Sequence, residues 1–233
     1  MNHRDTEAPL VQVYRQLLDA HGHQRWWPAE TPFEVCVGAI LTQNTAWTNV
    51  ERALARLKSA GLLDPDALHA LPETDLAELL RPAGTFRVKA RRLRAFLDVL
   101  IREFHGSLAH LFAGDTATVR ARLLGIPGIG PETADCLLLY AGGHLSFVVD
   151  AYTRRIFHRH DWCGASASYA ELQTLCARAS HPAEMPDALD YWQDFHAQLV
   201  VVGKEYCRAR APRCETCPLR AFLPSTAGRS PGV

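Results

Sequence analysis

The stretch that decides the fold is 124–135, which reads Leu-Gly-Ile-Pro-Gly-Ile-Gly-Pro-Glu-Thr-Ala-Asp. Gly128 and Gly130 allow a tight hairpin with positive φ and close approach by another backbone, and Pro127 fixes φ within the turn. From Thr133 onwards the sequence is apolar with helical spacing, so the hairpin opens a helix. Because the start of a helix presents unpaired amide N–H groups, the start of this helix is a candidate binding site for a phosphate.

A single carboxylate, Asp150, follows the hairpin after two valines and precedes Ala-Tyr-Thr-Arg-Arg, which starts another helix. One interpretation is an N-cap aspartate, a common use of this residue. The other is a functional carboxylate, and the two are compatible because the dipole of a helix N-terminus favours the anion.

Composition is that of a globular protein. The 233 residues are 48% hydrophobic, enough for one large domain or two small ones. No apolar run reaches membrane-spanning length and the N-terminus lacks a signal-peptide pattern, which predicts a soluble, intracellular protein. The net charge is zero, but nine Lys/Arg against three Asp/Glu lie in 81–122, and five against two in 204–220. Such segments are either solvated helix faces or an electrostatic footprint for nucleic acid.

Seven cysteines are present, and the last three form the pattern Cys207-x6-Cys214-x2-Cys217 with Arg208, Arg210 and Arg213 inside it. An odd number with this clustering favours metal or cluster ligation over disulfides. Cys36, Cys136 and Cys176 lie in apolar helical stretches and are expected to be core residues.

Hydrophobic periodicity predicts an almost entirely helical chain. The only strand-like pair, Val148-Val149, is too short to begin a sheet. The predicted helices cover 8–20, 33–41, a face through Val50–Leu57, one starting at 72–75, 90–104, 119–124, 132–141, 151–160, 169–179 and 187–206.

Taken with its flanks, the hairpin resembles the helix-hairpin-helix-Gly-Pro-Asp superfamily of DNA glycosylases, which contains endonuclease III. The resemblance runs from about Val11 to Leu223 and implies an all-α fold of two helical lobes with a DNA cleft between them. One lobe would be a six-helix barrel over 30–141, with the helix-hairpin-helix at about 120–141. The second would combine 1–29 with 142–206, followed by a cysteine loop at 207–223 and a frayed tail at 224–233.

The resemblance also implies roles for individual residues. Asp150 would be the catalytic carboxylate, and the amides of Gly128 and Gly130 would face phosphate. Gln43, within Leu-Thr-Gln-Asn-Thr, would probe or fill the gap left by a flipped base, and Thr85 stands where relatives place a wedge residue. A monovalent cation, K⁺ or Na⁺, would be held by the carbonyls of Leu124, Ile126 and Ile129.

Glu132 decides between reaction types. In family members that also cut the DNA backbone, a lysine lies two residues after the second hairpin glycine, and its amine forms a Schiff base. Glu132 occupies that position here, which argues for a monofunctional glycosylase and against AP lyase activity. An adenine-mismatch glycosylase would need a Glu where this chain has Ala39.

Aromatic residues narrow the expected substrate. Trp26, Trp27 and Trp47 are either core residues or stacking walls for an extruded base. Together with the Gln43 segment and Glu132, they resemble the 3-methyladenine glycosylases of the endonuclease III type, in which aromatic walls sandwich an alkylated base. The resemblance places all four residues, Trp26, Trp27, Trp47 and Glu132, in the pocket for that base. The resemblance implies a cytoplasmic, nucleoid-associated monomer that acts on damaged double-stranded DNA. The alternatives are an endonuclease III-type glycosylase and lyase for oxidised pyrimidines, and a catalytically weak DNA-binding member.

Cys207, Cys214 and Cys217 reproduce three ligands of the family's [4Fe–4S] loop, with arginines that would face phosphate. The fourth cysteine of the pattern is absent, since Leu223 stands there. The cluster would then be held by three cysteines and another ligand or solvent, or would be a labile, three-iron form. Otherwise it has been lost, leaving a zinc knuckle or free thiols.

Overall fold

The computed structural model describes residues 9–179 and 187–224, and over these ranges every regular element is a helix. The expected all-α class is therefore confirmed. Twelve α-helices are described: α1 Leu10–His21, α2 Pro32–Thr42, α3 Trp47–Ser59, α4 Pro65–Ala70, α5 Glu73–Leu79, α6 Phe86–Phe104, α7 Leu108–Leu111, α8 Thr116–Leu124, α9 Pro131–Cys136, α10 Ala151–Arg159, α11 Tyr169–Ala179 and α12 Ala188–Glu205. A π-helical segment, Leu137–Ala141, continues α9, and 3₁₀ turns occupy Arg81–Ala83, Cys214–Thr216 and Pro218–Phe222.

The chain divides into two units. The first runs from Trp27 to Ser146 and the second combines the described residues on either side of it. In the first unit α2 is the central helix, because every residue from Phe33 to Leu41 is buried. Its sequence is apolar nearly all round, which is the pattern of a helix enclosed by others. Helices α3, α6 and α9 and the π-helical segment pack around it.

In the second unit α10 packs against α12, and α1 packs against α11, α12 and the turn at Pro218–Phe222. The approach of α10 to α12 requires Gly203, because a Cβ there would lie 2.3 Å from Cδ1 and 2.6 Å from Cβ of Tyr152. Arg155 on α10 also donates to the backbone oxygens of Cys207 (2.6 Å) and Gly203 (3.0 Å). These contacts fix α10 against the end of α12 and the start of the cysteine loop.

Several helix bounds differ from those predicted. Helix α6 begins at Phe86 rather than Ala90, and 137–141 is π-helical, with Gly142 N–H donating to Leu137 O at 2.9 Å. Helix α4 was not predicted, although Asp64 caps its N-terminus and Pro65 takes its first position, both ordinary start signals. Of the expected tail at 224–233, only Pro224 lies within the described residues.

Candidate functional site

The hairpin joins α8 to α9 through a turn closed by its own backbone. Ile126 N–H donates to Leu123 O (3.1 Å) and Ile129 N–H donates to Ile126 O (3.0 Å). The Ile126 and Ile129 side chains are buried in the core, while Pro127, Gly128 and Gly130 are exposed. Two apolar anchors thus hold the turn and present its glycines to solvent.

The two glycines serve different purposes. Gly128 has φ +90°, and a Cβ there would lie 2.4 Å from Cγ of Arg92, so the positive φ expected from the sequence is confirmed at this position. Gly130 has φ −93° and ψ 178°, so the same expectation is wrong there. Gly130 is the N-cap of α9, where extended backbone is the rule. A Cβ on Gly130 would meet no atom within 4 Å.

Gln43, at the C-terminal end of α2, is hydrogen-bonded to the hairpin. Its Nε2 donates to Gly128 O (3.1 Å) and to Thr133 Oγ1 (2.9 Å), and its Oε1 accepts from Arg92. The side chain chosen from the sequence as a DNA probe is therefore fixed beside the glycine expected to bind phosphate. Its role in contacting DNA stays a prediction.

Glu132 lies exposed in the first turn of α9, two residues beyond Gly130. The carbonyls expected to hold a monovalent cation, those of Leu124, Ile126 and Ile129, belong to the end of α8 and the turn. The Ile126 oxygen accepts one hydrogen bond from Ile129, and a carbonyl oxygen has a second lone pair for a cation.

An aromatic cluster forms in the first unit. The ring of Trp27 meets those of Trp47 (5.2 Å, 86°) and Tyr140 (5.4 Å, 62°) edge-to-face, and lies over Gly38, where a Cβ would be 3.3 Å from the indole. All three rings are half-buried. Trp26, which the sequence analysis placed with Trp27, belongs to the other unit. Tyr140 was missed because its side chain reaches Trp27 from the π-helical segment.

Asp150 caps α10, its Oδ1 accepting from Thr153 N–H at 2.7 Å. Its Oδ2 lies 3.8 Å from Nε2 of His196, beyond hydrogen-bond length. Burial lowers the pKa of His196, and Asp150 opposes that shift, so the imidazole is neutral at neutral pH. The site thus combines one oxygen fixed by the helix with a second that remains available to an incoming group.

The basic residues expected to face DNA are exposed. Thr85 is the left-handed N-cap of α6 (φ 36°), and the half-buried Phe86 beside it is flanked by the guanidinium groups of Arg81 and Arg87, 5.0 and 5.7 Å from the ring centre. Arg208, Arg210 and Arg213 are all exposed on the cysteine loop.

The cysteine loop brings its three thiols to one place. Cys207, Cys214 and Cys217 line a small cavity together with His160 and Leu223. Burial raises the pKa of the Cys217 thiol, and its neighbours Cys207 and Cys214 raise it further. Arg159 donates to Cys207 Sγ (3.3 Å) and to Arg208 O (2.6 Å), which holds the loop against α10.

Three thiols around one cavity fit an iron–sulfur cluster, in which each thiolate binds a different iron. Within the described residues, no three His, Cys, Asp or Glu side chains are grouped closely enough to hold a metal ion. Within 9–179 and 187–224, no helix is long and apolar enough to cross a membrane.

Residues 37–182 match the HhH-GPD superfamily of base excision DNA repair proteins. A protein of Methanocaldococcus jannaschii, whose name assigns it as a DNA repair glycosylase, is 43% identical over 91% of this chain and 94% of its own length. The chain belongs to the HhH-GPD superfamily and is a DNA repair glycosylase of that family.

Other relatives agree on the endonuclease III type. Endonuclease III of Thermotoga maritima is 26% identical over 81% of each chain. A non-covalent endonuclease III–DNA complex shares the fold, with a TM-score of 0.77 over 92% of this chain and 93% of its own. The H. pylori 3-methyladenine DNA glycosylase bound to 1,N6-ethenoadenine matches with a TM-score of 0.75 and 27% identity over 85% of this chain and 98% of its own.

Proposed function

We propose that this glycosylase is monofunctional and removes alkylated purines from double-stranded DNA, with water as the nucleophile. The observation that carries the first part is Glu132, exposed in the first turn of α9. In a glycosylase with lyase activity, a lysine amine at this position attacks C1′ and forms a Schiff base. A carboxylate has no amine to form that bond.

Asp150 supplies the chemistry that remains. As the C1′–N bond breaks, positive charge builds on the sugar, and an ionised carboxylate beside it stabilises the transition state. Oδ1 is held by Thr153 N–H, so Oδ2 is the atom that accepts a proton from the attacking water. The water oxygen bonds to C1′, and the base leaves with the electron pair of the glycosidic bond. His196 lies buried beside Asp150 and is neutral because burial lowers its pKa, so it does not compete for the proton.

The aromatic cluster supports an alkylated purine as substrate. Purines alkylated at N3 or N7, such as 3-methyladenine, carry positive charge in DNA, and the face of an aromatic ring attracts a cation. We assign Trp26, Trp27, Trp47 and Glu132 to the base pocket and add Tyr140, whose ring adjoins Trp27. Because a charged base is already a good leaving group, this pocket needs no dedicated general acid. The likeness to a 3-methyladenine glycosylase at 27% identity favours the same substrate class.

Contacts with the DNA backbone are assigned to the exposed Gly128 and Gly130 amides, to Thr85, and to Arg208, Arg210 and Arg213. A monovalent cation at the carbonyls of Leu124, Ile126 and Ile129 would add positive charge at the hairpin. Gln43 is assigned to the space left by the flipped base. To enter the DNA, it must exchange its bonds to Gly128, Thr133 and Arg92 for new partners. Base flipping costs a few kcal/mol, and refilling the stack offsets part of that cost.

The test is a panel of duplexes carrying 3-methyladenine, 1,N6-ethenoadenine, an oxidised pyrimidine or uracil. We expect free alkylated purine to be released, and the strand to stay intact until alkali is added. Borohydride trapping of the wild-type protein on DNA, or turnover of the oxidised pyrimidine alone, would overturn the proposal. Asp150→Asn should lose release while still binding DNA.

Glu132→Lys provides a sharper test of the nucleophile. The variant restores an amine two residues beyond Gly130, so we expect it to become trappable on DNA by borohydride, whereas Glu132→Gln stays untrappable. Failure of Glu132→Lys to trap, with base release intact, would show that this position does not reach C1′.

A further inference from the structure

One buried histidine faces the cysteine cavity without a hydrogen-bond partner. His160 follows the last residue of α10, is only 7% exposed, and lines the cavity together with Cys207, Cys214 and Cys217. Its Nδ1 is buried and unpaired in the described structure. Buried polar atoms in folded proteins are nearly always paired, and a bound ion is one partner of those that have none within the chain.

The His160 ring is oriented by its surroundings. It stacks on the Trp162 indole, with ring centres 4.6 Å apart and planes at 25°. The backbone of Phe222 is near enough to oppose the lowering of the imidazole pKa that burial causes. Histidines at metal sites are ordinarily held in a fixed orientation by groups beyond the metal, as these neighbours would hold His160.

His160 lines the same cavity as the residue at the position of the missing thiolate. Leu223, where relatives of the endonuclease III type place the fourth cysteine, lines the same cavity and offers no ligand atom. The neighbouring Phe222 ring lies edge-to-face on Trp162, the residue that stacks on His160. The end of α10 and the segment that carries Leu223 therefore meet at one side of the cavity.

We propose that Cys207, Cys214, Cys217 and the Nδ1 of His160 together hold a [4Fe–4S] cluster. Imidazole is a suitable ligand for iron, and histidines replace cysteines on one iron of the Rieske centres. Exchanging one thiolate for a neutral imidazole makes the cluster less negative, which raises its reduction potential relative to an all-cysteine site. Arg159, which donates to Cys207 Sγ, acts in the same direction.

The experiment is spectroscopic and does not depend on glycosylase activity. The full chain is purified without oxygen, and iron and sulfide per chain, absorption and the EPR spectrum are measured. We expect four irons per chain, and pulsed EPR of the reduced cluster should show a nitrogen coupling that changes with ¹⁵N-histidine. His160→Cys should keep four irons, lose the nitrogen coupling and have a lower reduction potential.

Removal and relocation of the ligand complete the test. His160→Ala should yield a three-iron EPR signal or lose iron, and His160→Ala with Leu223→Cys should restore four irons from the family's own position. His158→Ala, an exposed neighbour on α10, is the matched control and should change nothing. Unchanged iron content and spectrum in His160→Ala, bound zinc in place of iron, or no metal at all would overturn the assignment.

Discussion

Alanine substitutions at the two hairpin glycines allow effects on the stability of the protein to be distinguished from effects on its affinity for DNA. At Gly128, alanine meets two obstacles. The residue has φ +90°, which costs an L-amino acid about 1–2 kcal/mol or more. The new Cβ would also lie 2.4 Å from Cγ of Arg92, whose guanidinium binds Gln43. Losing that charged hydrogen bond costs about 1.5–3 kcal/mol, so Gly128→Ala should lower the free energy of unfolding by about 3–5 kcal/mol.

At Gly130 the same substitution meets neither obstacle. Its φ is −93° and a Cβ would point into open space. The lower entropy of the unfolded chain favours alanine by up to about 1 kcal/mol, while alanine is the poorer N-cap. The net change in stability should therefore stay within about 0.5 kcal/mol. If a phosphate lies against this amide, however, the methyl group displaces it, and a lost charged hydrogen bond weakens binding about 10- to 100-fold.

The assay pairs urea unfolding with fluorescence anisotropy on a duplex that carries an abasic-site analogue, at one fixed salt concentration because such affinities depend strongly on salt. The reasoning is refuted if Gly130→Ala binds this duplex as tightly as the wild type, because no phosphate would then lie against the Gly130 amide. It is equally refuted if Gly130→Ala unfolds as easily as Gly128→Ala.

Two further predictions concern stability alone. Burial, with help from the charge of Arg92, lowers the pKa of Lys89 to about 8, and its ammonium donates to Ala83 O. Between pH 8 and about 10.5 the unfolded chain binds the Lys89 proton more tightly than the folded chain does. The free energy of unfolding of the wild type should therefore rise by about 3 kcal/mol relative to that of Lys89→Met across this window. A difference between the two proteins that does not change with pH would contradict this. Gly203→Ala places a methyl group against Tyr152 and should cost about 1–3 kcal/mol in urea unfolding, whereas the matched control Gly164→Ala, with open space around its Cβ, should not.

The helical core could be predicted from the sequence because its signal is local. In α6 the helical spacing predicts an apolar face made of Leu93, Phe96, Leu97, Leu100 and Ile101. The first four are fully buried, and Ile101 is half-buried. Helix α9 is different: its π-helical continuation turns Tyr140 towards Trp27, and no periodicity distinguishes a π turn from an α turn over five residues. The aromatic cluster could therefore be predicted only in part.

Arg92 and His196 were missed for a related reason. Arg92 belongs to a basic segment whose exposed face accounts for its charge, yet its guanidinium binds Gln43, 49 residues earlier in the chain. His196 lies in an apolar helix and reaches Asp150 across 46 residues. A motif records neighbours in the sequence, and these partners are neighbours only in space.

The same distinction governs the cysteine loop. The spacing of Cys207, Cys214 and Cys217 encodes three ligands on one short segment, but a fourth can come from whatever packs against it. That neighbour is α10, held there by Gly203 against Tyr152 and by Arg155 on the Cys207 carbonyl. Helix α10 starts at the catalytic candidate Asp150 and ends beside His160. A cluster bound at His160 would therefore fix the C-terminal end of α10, the helix whose N-terminus orients the Asp150 carboxylate. A structural cofactor would in this way help to hold the catalytic carboxylate in place.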